Sequence, residues 1–473
     1  MTGSQEGLSM ADLVVIGAGS AGFAAAIRAA ELGARVTLIG HGTIGGTCVN
    51  VGCVPSKTLI RAAEALHGAN AAARFAGIVG EAKLRDWSAV IQQKDELVSS
   101  LCRSKYVDVL RQYNTISYVE DRARFTAQGV KVNGTLINSE RSIITTGASP
   151  AAPPIAGIDG VRWLDSTGAL ELDKLPASLL VIGGGFVGCE LGQMFARAGV
   201  HVTIVCRSEL LPDAEPEISE ALAMYLRAEG VGVRCGIAYD AIRQEAQGVT
   251  LMLRDSEGRS DTIEAERVLV ATGRRPNTRD LGLADVGVDL DSHGAIRVDD
   301  RMRTTRSGVY AAGDVTGRDM FVYMAAYGAK IAAENALNGD GRRYDNIAMP
   351  EVTFTDPQVA RAGMTEAQAR VRGILVRSSV IGLDQVPRAL AARDTRGLVK
   401  LVAEQETGLL LGAHMLAPEA GDSIQTAALA IRQGMTVTDL AETIFPYLTT
   451  VEALKLAALA FFKDVAKLSC CAG

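Results

Sequence analysis

One pattern of residues occurs twice in this chain, and it limits the possible folds more than any other feature. In the first copy an apolar run, Ala11 to Ile16, leads into a loop that contains Gly17, Gly19 and Gly22. An alanine-rich helix and a strand from Arg35 to Ile39 complete the unit. The three glycines allow a tight turn, close approach of a pyrophosphate and close packing of helix against strand. The unit predicts a dinucleotide-binding βαβ fold, with phosphates at the helix N-terminus.

The second copy repeats this order further along the chain. A strand from Leu179 to Ile182 precedes Gly183, Gly185 and Gly188, and a helix leads to the strand His201 to Val205. The offset from first glycine to last strand residue is the same in both copies, from 17 to 39 and from 183 to 205. Two matched units predict two dinucleotides bound by one chain.

The residue after the second strand usually carries an acid that binds the adenosine ribose. In the first copy this position is Gly40, so other groups hold the ribose there or binding is weakened. In the second copy it is Cys206, with Arg207 beside it. An arginine there can bind a 2′-phosphate, which favours NADPH over NADH. The alternative is that Arg207 is a solvated surface charge.

A glycine-rich segment between the copies contains two cysteines, Cys48 and Cys53, separated by four residues. Gly52 eases the tight turn that a bridge between them needs, and the chain from Pro55 onward is predicted to be helical. A thiol near a helix N-terminus has a lowered pKa. We interpret the pair as redox-active. The alternatives are two buried cysteines, or half of a metal site that His41 alone does not complete.

The segment from Gly45 to Lys57 resembles the active site of the flavin-dependent pyridine nucleotide–disulfide oxidoreductases. The resemblance implies that Cys48 is the interchange thiol and that Cys53 is a charge-transfer thiolate against the flavin. It places Lys57 near the flavin N5, in an ion pair with Glu190. The residues that it implies around FAD, beyond the first three glycines, are Gly42, Thr47, Lys57, Ala123, Gly147, Asp314 and Val322.

The family resemblance also implies an architecture. The expected fold class is α/β, with two Rossmann-like dinucleotide-binding domains and a C-terminal α+β interface domain. The expected domains are residues 1–155 with 275–345 for FAD, 156–274 for the nicotinamide nucleotide, and 346–473 for the interface. Such interface domains join two subunits into a homodimer with shared active sites. Residues 65–110 carry a helical pattern of apolar residues.

Composition excludes several other classes of function. The 473 residues carry a net charge of −6 with no long basic run, so neither nucleic acid nor an anionic membrane is an expected partner. No uncharged apolar run is long enough to cross a membrane, and the first ten residues fit no targeting peptide. Eight cysteines in so long a chain favour a reducing cytoplasm. We interpret Cys102, Cys189 and Cys235 as buried small apolar residues.

Two features near the C-terminus separate members of the family. Dihydrolipoamide and glutathione enzymes carry a histidine that protonates the leaving thiol, and here that position is Tyr447, although Glu452 is kept. A phenol does not exchange a proton at neutral pH as imidazole does, which disfavours reduction of organic disulfides. The chain ends with Cys470 and Cys471, which suit binding of a soft metal better than a structural role. The alternatives are a redox relay or an inert tail.

These features resemble the mercuric reductase branch of the family, and they span nearly the whole chain. The resemblance implies that NADPH reduces FAD, that the flavin opens a Cys48–Cys53 disulfide, and that Hg(II) is the substrate. Hg(II)–thiol complexes would be captured by Cys470 and Cys471 of the partner subunit and passed inward by ligand exchange, with Tyr106 and Tyr447 steering the ion. Two alternatives are another flavin-dependent disulfide reductase and a non-catalytic thiol buffer.

Overall fold

The computed structural model describes residues 11–464 and residue 467. Its strands, in chain order, are β1 (Leu13–Ile16), β2 (Val36–Gly40), β3 (Ile116–Glu120), β4 (Ala123–Thr126), β5 (Gly129–Val132), β6 (Thr135–Ile137), β7 (Ser142–Ile144), β8 (Ala148–Pro150), β9 (Ser178–Ile182), β10 (His201–Val205), β11 (Gly232–Arg234), β12 (Ala238–Glu245), β13 (Gly248–Arg254), β14 (Ser260–Ala265), β15 (Arg267–Val270), β16 (Arg274–Pro276), β17 (Val309–Ala311), β18 (Pro350–Thr353), β19 (Gln358–Gly363), β20 (Val376–Gly382), β21 (Leu398–Glu404) and β22 (Leu410–Ala417).

The helices of the same residues are α1 (Ser20–Glu31), α2 (Gly46–Asn50), α3 (Cys53–Asn70), α4 (Trp87–Cys102), α5 (Asp108–Leu110), α6 (Ser166–Leu170), α7 (Phe186–Arg197), α8 (Pro216–Ala228), α9 (Val322–Asn338), α10 (Glu366–Val371), α11 (Pro387–Ala392), α12 (Ala420–Arg432), α13 (Val437–Glu442) and α14 (Glu452–Leu459). A π-helical turn, Arg103–Val107, joins α4 to α5. Single 3₁₀ turns lie at Ala71–Arg74, Ile158–Gly160, Ala284–Val286, Asp314–Thr316 and Leu383–Gln385.

The chain divides into two compact units, and the first contains residues 1–58, 91–151 and 273–345. Its centre is a parallel sheet with the strand order β17-β7-β1-β2-β3. The central strands are apolar and β-branched because helices cover a parallel sheet on its faces. Helix α1 packs against α9, where the Arg28 guanidinium bonds the Glu334 carboxylate at 2.9 Å. This unit therefore holds the first glycine fingerprint at the carboxyl edge of a doubly wound sheet.

The second unit contains residues 59–90, 152–272 and 346–473. Its parallel sheet has the order β11-β10-β9-β15, and α7 follows the second glycine fingerprint between β9 and β10. An antiparallel sheet, β12-β13-β14, is formed by the chain between β11 and β15. These strands repeat the dinucleotide fold that the sequence pattern predicts.

The C-terminal part of the second unit contains an antiparallel sheet with the order β18-β19-β22-β21-β20, packed by α12 and α14. Its core consists of small and aliphatic side chains, such as Ala413, Met415 and Ile424. The α/β fold class with two parallel nucleotide-binding sheets and a C-terminal α+β region is thereby confirmed.

The prediction of helical structure over residues 65–110 is wrong in its middle part. Helix α3 ends at Asn70, and residues 75–86 contain no helix before α4 begins at Trp87. The apolar residues of this part gave the sequence its helical pattern. In the structure, however, Ile78 and Val79 are exposed to solvent and do not form the buried face of a helix. Of the helices in the described part of the chain, none has the length and apolar character needed to cross a membrane.

Candidate active site

The two cysteines of the glycine-rich segment lie on consecutive short helical elements. Cys48 is in α2, and Cys53 is the first residue of α3. The two cysteines are not joined by a disulfide, and the Cys48 thiol donates a hydrogen bond to Cys53. This bond and burial raise the pKa of Cys48 above its ordinary range, and the nearby Lys57 ammonium opposes the rise. The pair therefore keeps a proton on Cys48 and leaves Cys53 as the acceptor at the helix N-terminus.

The turn between the two thiols is fixed by local hydrogen bonds. The Val51 N–H donates to the Thr47 carbonyl at 2.9 Å, and a side chain at Gly52 would lie 2.9 Å from the same oxygen. On the other side, the Asn50 amide donates to the carbonyls of Ile44 and Gly46, each at 2.9 Å. Glycine at position 52 is therefore required for the tight turn that the sequence predicted.

The thiol segment is joined to the first glycine fingerprint by its backbone. Gly45 forms a β-bridge with Gly19, and the Gly45 N–H donates to the Ala18 carbonyl at 2.9 Å. Gly46 has φ +66°, and a Cβ on it would lie 2.6 Å from the Gly19 Cα. Two glycine-rich loops can approach this closely only without side chains. The arrangement places the thiol pair beside the loop that would hold a dinucleotide pyrophosphate.

The first fingerprint has the shape that such a group needs. Gly17 has φ +115°, and a Cβ there would overlap the Thr145 carbonyl oxygen. A Cβ at Gly22 would overlap the Gly17 carbonyl. Helix α1 has Gly19 as its N-cap, with no side-chain cap and no acid in the first turn. The N–H groups of this first turn and the helix dipole suit the pyrophosphate of FAD.

The usual ribose-binding acid is replaced by Gly40, and the space that its side chain would need is occupied, in part by Tyr118 of the neighbouring strand. A Cβ at Gly40 would lie 2.6 Å from the Ala18 Cβ and 2.8 Å from the Tyr118 hydroxyl. Tyr118 is on β3, and burial followed by the charge of Glu120 raises its pKa. Sequence reasoning missed Tyr118, since only the pairing of β2 with β3 brings its phenol to this position.

The remaining residues expected around FAD lie at the ends of elements in the first unit. Asp314 follows Gly313, which has φ +78°, and burial raises the Asp314 pKa against the opposing charge of Arg274. The Arg274 Nε lies 3.9 Å from the Asp314 carboxylate. Ala123 begins β4 and Val322 begins α9. Gly42 and Gly147 have φ values of +80° and +70°, and Thr47 and Lys57 lie in α2 and α3, respectively.

The second fingerprint has the same local geometry as the first. Gly183 has φ +121°, and a Cβ on it would overlap the Ala271 carbonyl; a Cβ on Gly188 would overlap the Gly183 carbonyl. Gly185 has open space around its Cα and is the N-cap of α7. Glu190, on the same helix, is buried and accepts a hydrogen bond from the Phe354 N–H at 2.9 Å. Arg207, just after β10, is exposed.

Tyr106 lies near the thiol pair. It occupies the π-helical turn after α4, where its ring packs edge-on against Phe23 with centroids 4.8 Å apart. A Cβ at Gly45 would lie 3.1 Å from that ring. Burial raises the Tyr106 pKa, and the charges of Cys48 and Cys53 add to the rise. Tyr106 therefore remains a neutral phenol beside the sulfur atoms.

Tyr447 lies in a short exposed segment of the second unit. Its side chain is half-exposed, and the next residue, Leu448, has φ +62°. The Leu448 N–H donates to the Glu452 carboxylate at 3.1 Å, and burial raises the Glu452 pKa. Cys470 and Cys471 lie outside the described residues. Among the residues that the structure describes, no group of three or more His, Cys, Asp or Glu side chains could hold a metal ion.

The interpretation of all three remaining cysteines as buried apolar residues is correct for Cys189 only. Cys189 is fully buried in α7. Cys102 is partly exposed and donates to the Ile44 carbonyl at 3.4 Å. Cys235 is also partly exposed, and its sulfur lies 3.3 Å from that of Cys206. Cys206 and Cys235 are far apart in sequence, so only the parallel pairing of β10 and β11 reveals their contact.

Comparison with known families gives matches along almost the whole chain. The model of the pyridine nucleotide-disulphide oxidoreductases matches residues 11–330, and that of the family's dimerisation domain matches residues 349–458. The mercuric reductase of Streptomyces lividans is 47% identical, over 98% of this chain and 98% of its own. That of Lysinibacillus sphaericus is 46% identical, over 98% of this chain and 84% of its own.

A solved structure gives the same result for the fold. The Cu(II) complex of the HOCl-induced flavoprotein disulfide reductase RclA from Escherichia coli aligns with a TM-score of 0.84 at 30% identity. The alignment covers 96% of this chain and 100% of that one.

Proposed function

The chain belongs to the pyridine nucleotide–disulphide oxidoreductases and, within them, to the mercuric reductases, and we propose that its reaction is the reduction of Hg(II) to Hg(0) by NADPH. FAD and NADPH are its cofactors. The observation that carries the proposal is the attachment of the Cys48–Cys53 pair to the first glycine fingerprint through Gly45 and Gly19. Two thiols beside a flavin-binding loop suit a soft ion that needs two electrons.

Bound FAD supplies two-electron transfer between NADPH and the thiol pair. The protein's own contribution begins with the two sulfurs, because Hg(II) prefers thiolate ligands over oxygen and nitrogen ligands. Binding of the ion to Cys48 displaces the proton that Cys48 holds, and the Lys57 ammonium favours the resulting thiolate. Overall, one mercuric dithiolate, one NADPH and one proton give Hg(0), two free thiols and NADP⁺.

Tyrosine in place of the acid–base histidine supports a metal ion as substrate. An organic disulfide needs a proton for its leaving thiol, whereas Hg(II) needs only electrons and ligand exchange. Tyr447 occupies the histidine position, and we assign to it and to Tyr106 the role of weak neutral ligands that guide the ion toward the pair. A neutral phenol does so without competing for protons.

We further propose that the partner subunit's Cys471 and the partner subunit's Cys470 deliver the ion in a homodimer with shared active sites. The match to the family's dimerisation domain supports the homodimer. Hg(II)–thiol complexes from solution exchange onto the terminal thiols and then onto Cys48 and Cys53, so the ion is never free. We place the reaction in the cytoplasm, where thiols are kept reduced.

The nucleotide preferences follow from the two strand ends. Arg207 is exposed next to the second fingerprint, where it can bind the 2′-phosphate of NADPH. At the first fingerprint we assign the Tyr118 hydroxyl to the ribose of FAD, because it occupies the position from which an acid would reach. A phenol gives one neutral hydrogen bond in place of a charged one.

A comparison of substrates tests the proposal. NADPH oxidation by the FAD-loaded enzyme is measured with a mercuric dithiolate, with glutathione disulfide and with lipoamide. We expect at least about a hundredfold higher kcat/KM for the mercuric complex, equivalent to roughly 3 kcal/mol. Higher kcat/KM for either organic disulfide would support instead a general disulfide reductase, the activity named for the E. coli structural relative.

A further inference from the structure

A second pair of thiols lies at the carboxyl edge of the nucleotide-binding sheet in the second unit. Val205 and Arg234 are partners in the parallel pairing of β10 and β11, and Cys206 and Cys235 are the next residues on the two strands. The Cys206 sulfur lies 3.3 Å from the Cys235 sulfur and 3.2 Å from the Ser208 carbonyl oxygen, and the Cys206 thiol is placed to donate to both. In a doubly wound sheet this edge is where the nucleotide binds.

The surroundings make Cys235 the more reactive of the two. Its sulfur accepts hydrogen bonds from Cys206 and from the Leu210 N–H, and it lies near the Arg227 guanidinium. These contacts lower the Cys235 pKa to about 7, against burial and the nearby charge of Glu209. The same hydrogen bond, together with burial, raises the Cys206 pKa. A thiolate next to a protonated thiol is the arrangement of an attacking and a resolving cysteine.

Access and distance also permit oxidation. Cys235 is partly exposed, whereas Cys206 is 5% exposed beneath it. A disulfide needs an S–S distance of about 2.05 Å, so the two sulfurs must approach by a little more than 1 Å. The backbone holds the two residues together, because the Cys206 N–H donates to the Arg234 carbonyl at 2.9 Å.

We propose that Cys206 and Cys235 are a second redox-active thiol pair, which hydroperoxides oxidise to a disulfide and whose oxidation weakens NADPH binding. The Cys235 thiolate attacks the terminal oxygen of the hydroperoxide, the O–O bond breaks, and the alkoxide takes a proton from solvent. The resulting sulfenic acid is attacked by Cys206, which forms the S–S bond and releases water. In total, two thiols and one hydroperoxide give a disulfide, an alcohol and water.

The link to NADPH arises from the atoms that the Cys206 side chain touches. A Cβ at Gly184, which lies between Gly183 and Gly185 of the second fingerprint, would lie 3.0 Å from both the Cβ and the sulfur of Cys206. Arg207 is the next residue in the chain. Movement of the Cys206 sulfur toward Cys235 therefore displaces the side chain that lies against Gly184. It also displaces the start of the loop that carries Arg207. The inference concerns the NADPH site and does not depend on which substrate the first thiol pair reduces.

The test uses the FAD-loaded enzyme in a Cys470→Ser/Cys471→Ser background, so that the terminal thiols do not react. After treatment with hydrogen peroxide and digestion without reductant, mass spectrometry should find the Cys206 and Cys235 peptides joined. In Cys206→Ser, dimedone should trap a sulfenic acid on Cys235, because the resolving thiol is gone. The matched control is Cys189→Ser, a buried cysteine of the same unit, which should behave like the parent protein.

The second readout is the affinity for NADP⁺ by titration calorimetry. Oxidation should raise the dissociation constant by about fivefold or more in the parent, and reduction with dithiothreitol should restore it. Cys235→Ser should show no change on peroxide treatment. Failure to find the linked peptides would overturn the redox pair. Linked peptides with unchanged NADP⁺ affinity would overturn its coupling to the nucleotide site.

Discussion

The two dinucleotide folds of this chain differ most at the same position, the residue after the second strand of the βαβ unit. Gly40 and Cys206 each replace the usual acid, and in each case the neighbouring strand supplies the group that covers the position. In the first fold it is Tyr118 from β3, and in the second it is Cys235 after β11. Gly40 and the Tyr118 phenol that covers it are chemically inert, whereas Cys206 and Cys235 are a pair of thiols, of which Cys235 is the more reactive. The comparison teaches that the position at the end of the second strand of a βαβ unit accepts chemically different residues, provided that a side chain from the neighbouring strand fills the space beside it.

The folds also differ in the segment attached to the fingerprint. In the first fold, the segment that carries Cys48 and Cys53 is bound to the glycine loop through Gly45 and Gly19. In the proposed mechanism the first fold therefore carries the reaction, and the second binds the reducing nucleotide. Substitutions in the two folds should differ accordingly, and loss of an active-site thiol should have the largest effect.

Replacing Cys53 by alanine should lower Hg(II)-dependent NADPH oxidation by about a thousandfold or more, because a single thiolate cannot hold the ion or form the redox-active pair. Cys189→Ser, a thiol change in the second fold, should alter the rate by less than about twofold. Stopped-flow absorbance at the NADPH band measures both. Comparable losses in the two variants would remove the distinction between the folds.

Charge reversal at Arg207 tests the nucleotide preference of the second fold. Arg207→Glu should lower kcat/KM for NADPH by about a hundredfold, since an acid repels the 2′-phosphate, while kcat/KM for NADH stays within about threefold. Arg254→Glu is the matched control, because Arg254 bonds Asp240 on the sheet β12-β13-β14. An equal loss with both nucleotides would assign Arg207 to folding rather than to phosphate binding.

The pH dependence of alkylation tests the reactivity of Cys235, the residue that follows β11. Because the Cys235 pKa is lowered to about 7, its thiolate fraction and its reaction with iodoacetamide should rise about tenfold between roughly pH 6 and pH 8. Burial raises the pKa of Cys189, so that thiol should stay unreacted over the same range. Peptide mass spectrometry after timed alkylation gives both rates. A flat profile for Cys235 would contradict the proposed polarity of the pair.

The smallest expected effect is on FAD binding near Gly40, at the carboxyl end of β2. Tyr118→Phe should raise the dissociation constant of FAD by roughly fivefold, the equivalent of one neutral hydrogen bond. Gly40→Asp should weaken binding as well, because its Cβ would collide with Tyr118 and Ala18. Fluorescence titration of the apoprotein with FAD measures both. Tighter binding by Gly40→Asp would show that the acid position is open after all.

Much of this organisation can be predicted from sequence alone. Periodic apolar strands and spaced glycines predict both parallel sheets, because Gly17 and Gly183 need backbone angles that other residues rarely adopt. The spacing of Cys48 and Cys53 predicts their contact, since the turn between them is local. Tyr118 and Cys235 were missed because they reach their positions through pairing of strands distant in sequence. The helical structure predicted over residues 65–110 is wrong at residues 75–86, because the apolar residues there do not form a buried face.

The role proposed for the terminal cysteines is the part that the fold constrains least, since Cys470 and Cys471 lie outside the described residues. Substitution of both by alanine separates delivery from reduction. Turnover of a bulky mercuric dithiolate should fall much more than the rate at which NADPH reduces the flavin. Equal losses in the two rates would contradict a delivery role.

The most direct measurement of the central claim is the yield of mercury vapour per NADPH. The FAD-loaded enzyme is given limiting NADPH with excess mercuric dithiolate, and Hg(0) is swept into a cold-vapour absorption cell. The account predicts one Hg(0) released for each NADPH oxidised, and none from Cys48→Ala. Oxidation of NADPH by the FAD-loaded protein without release of Hg(0) would contradict it.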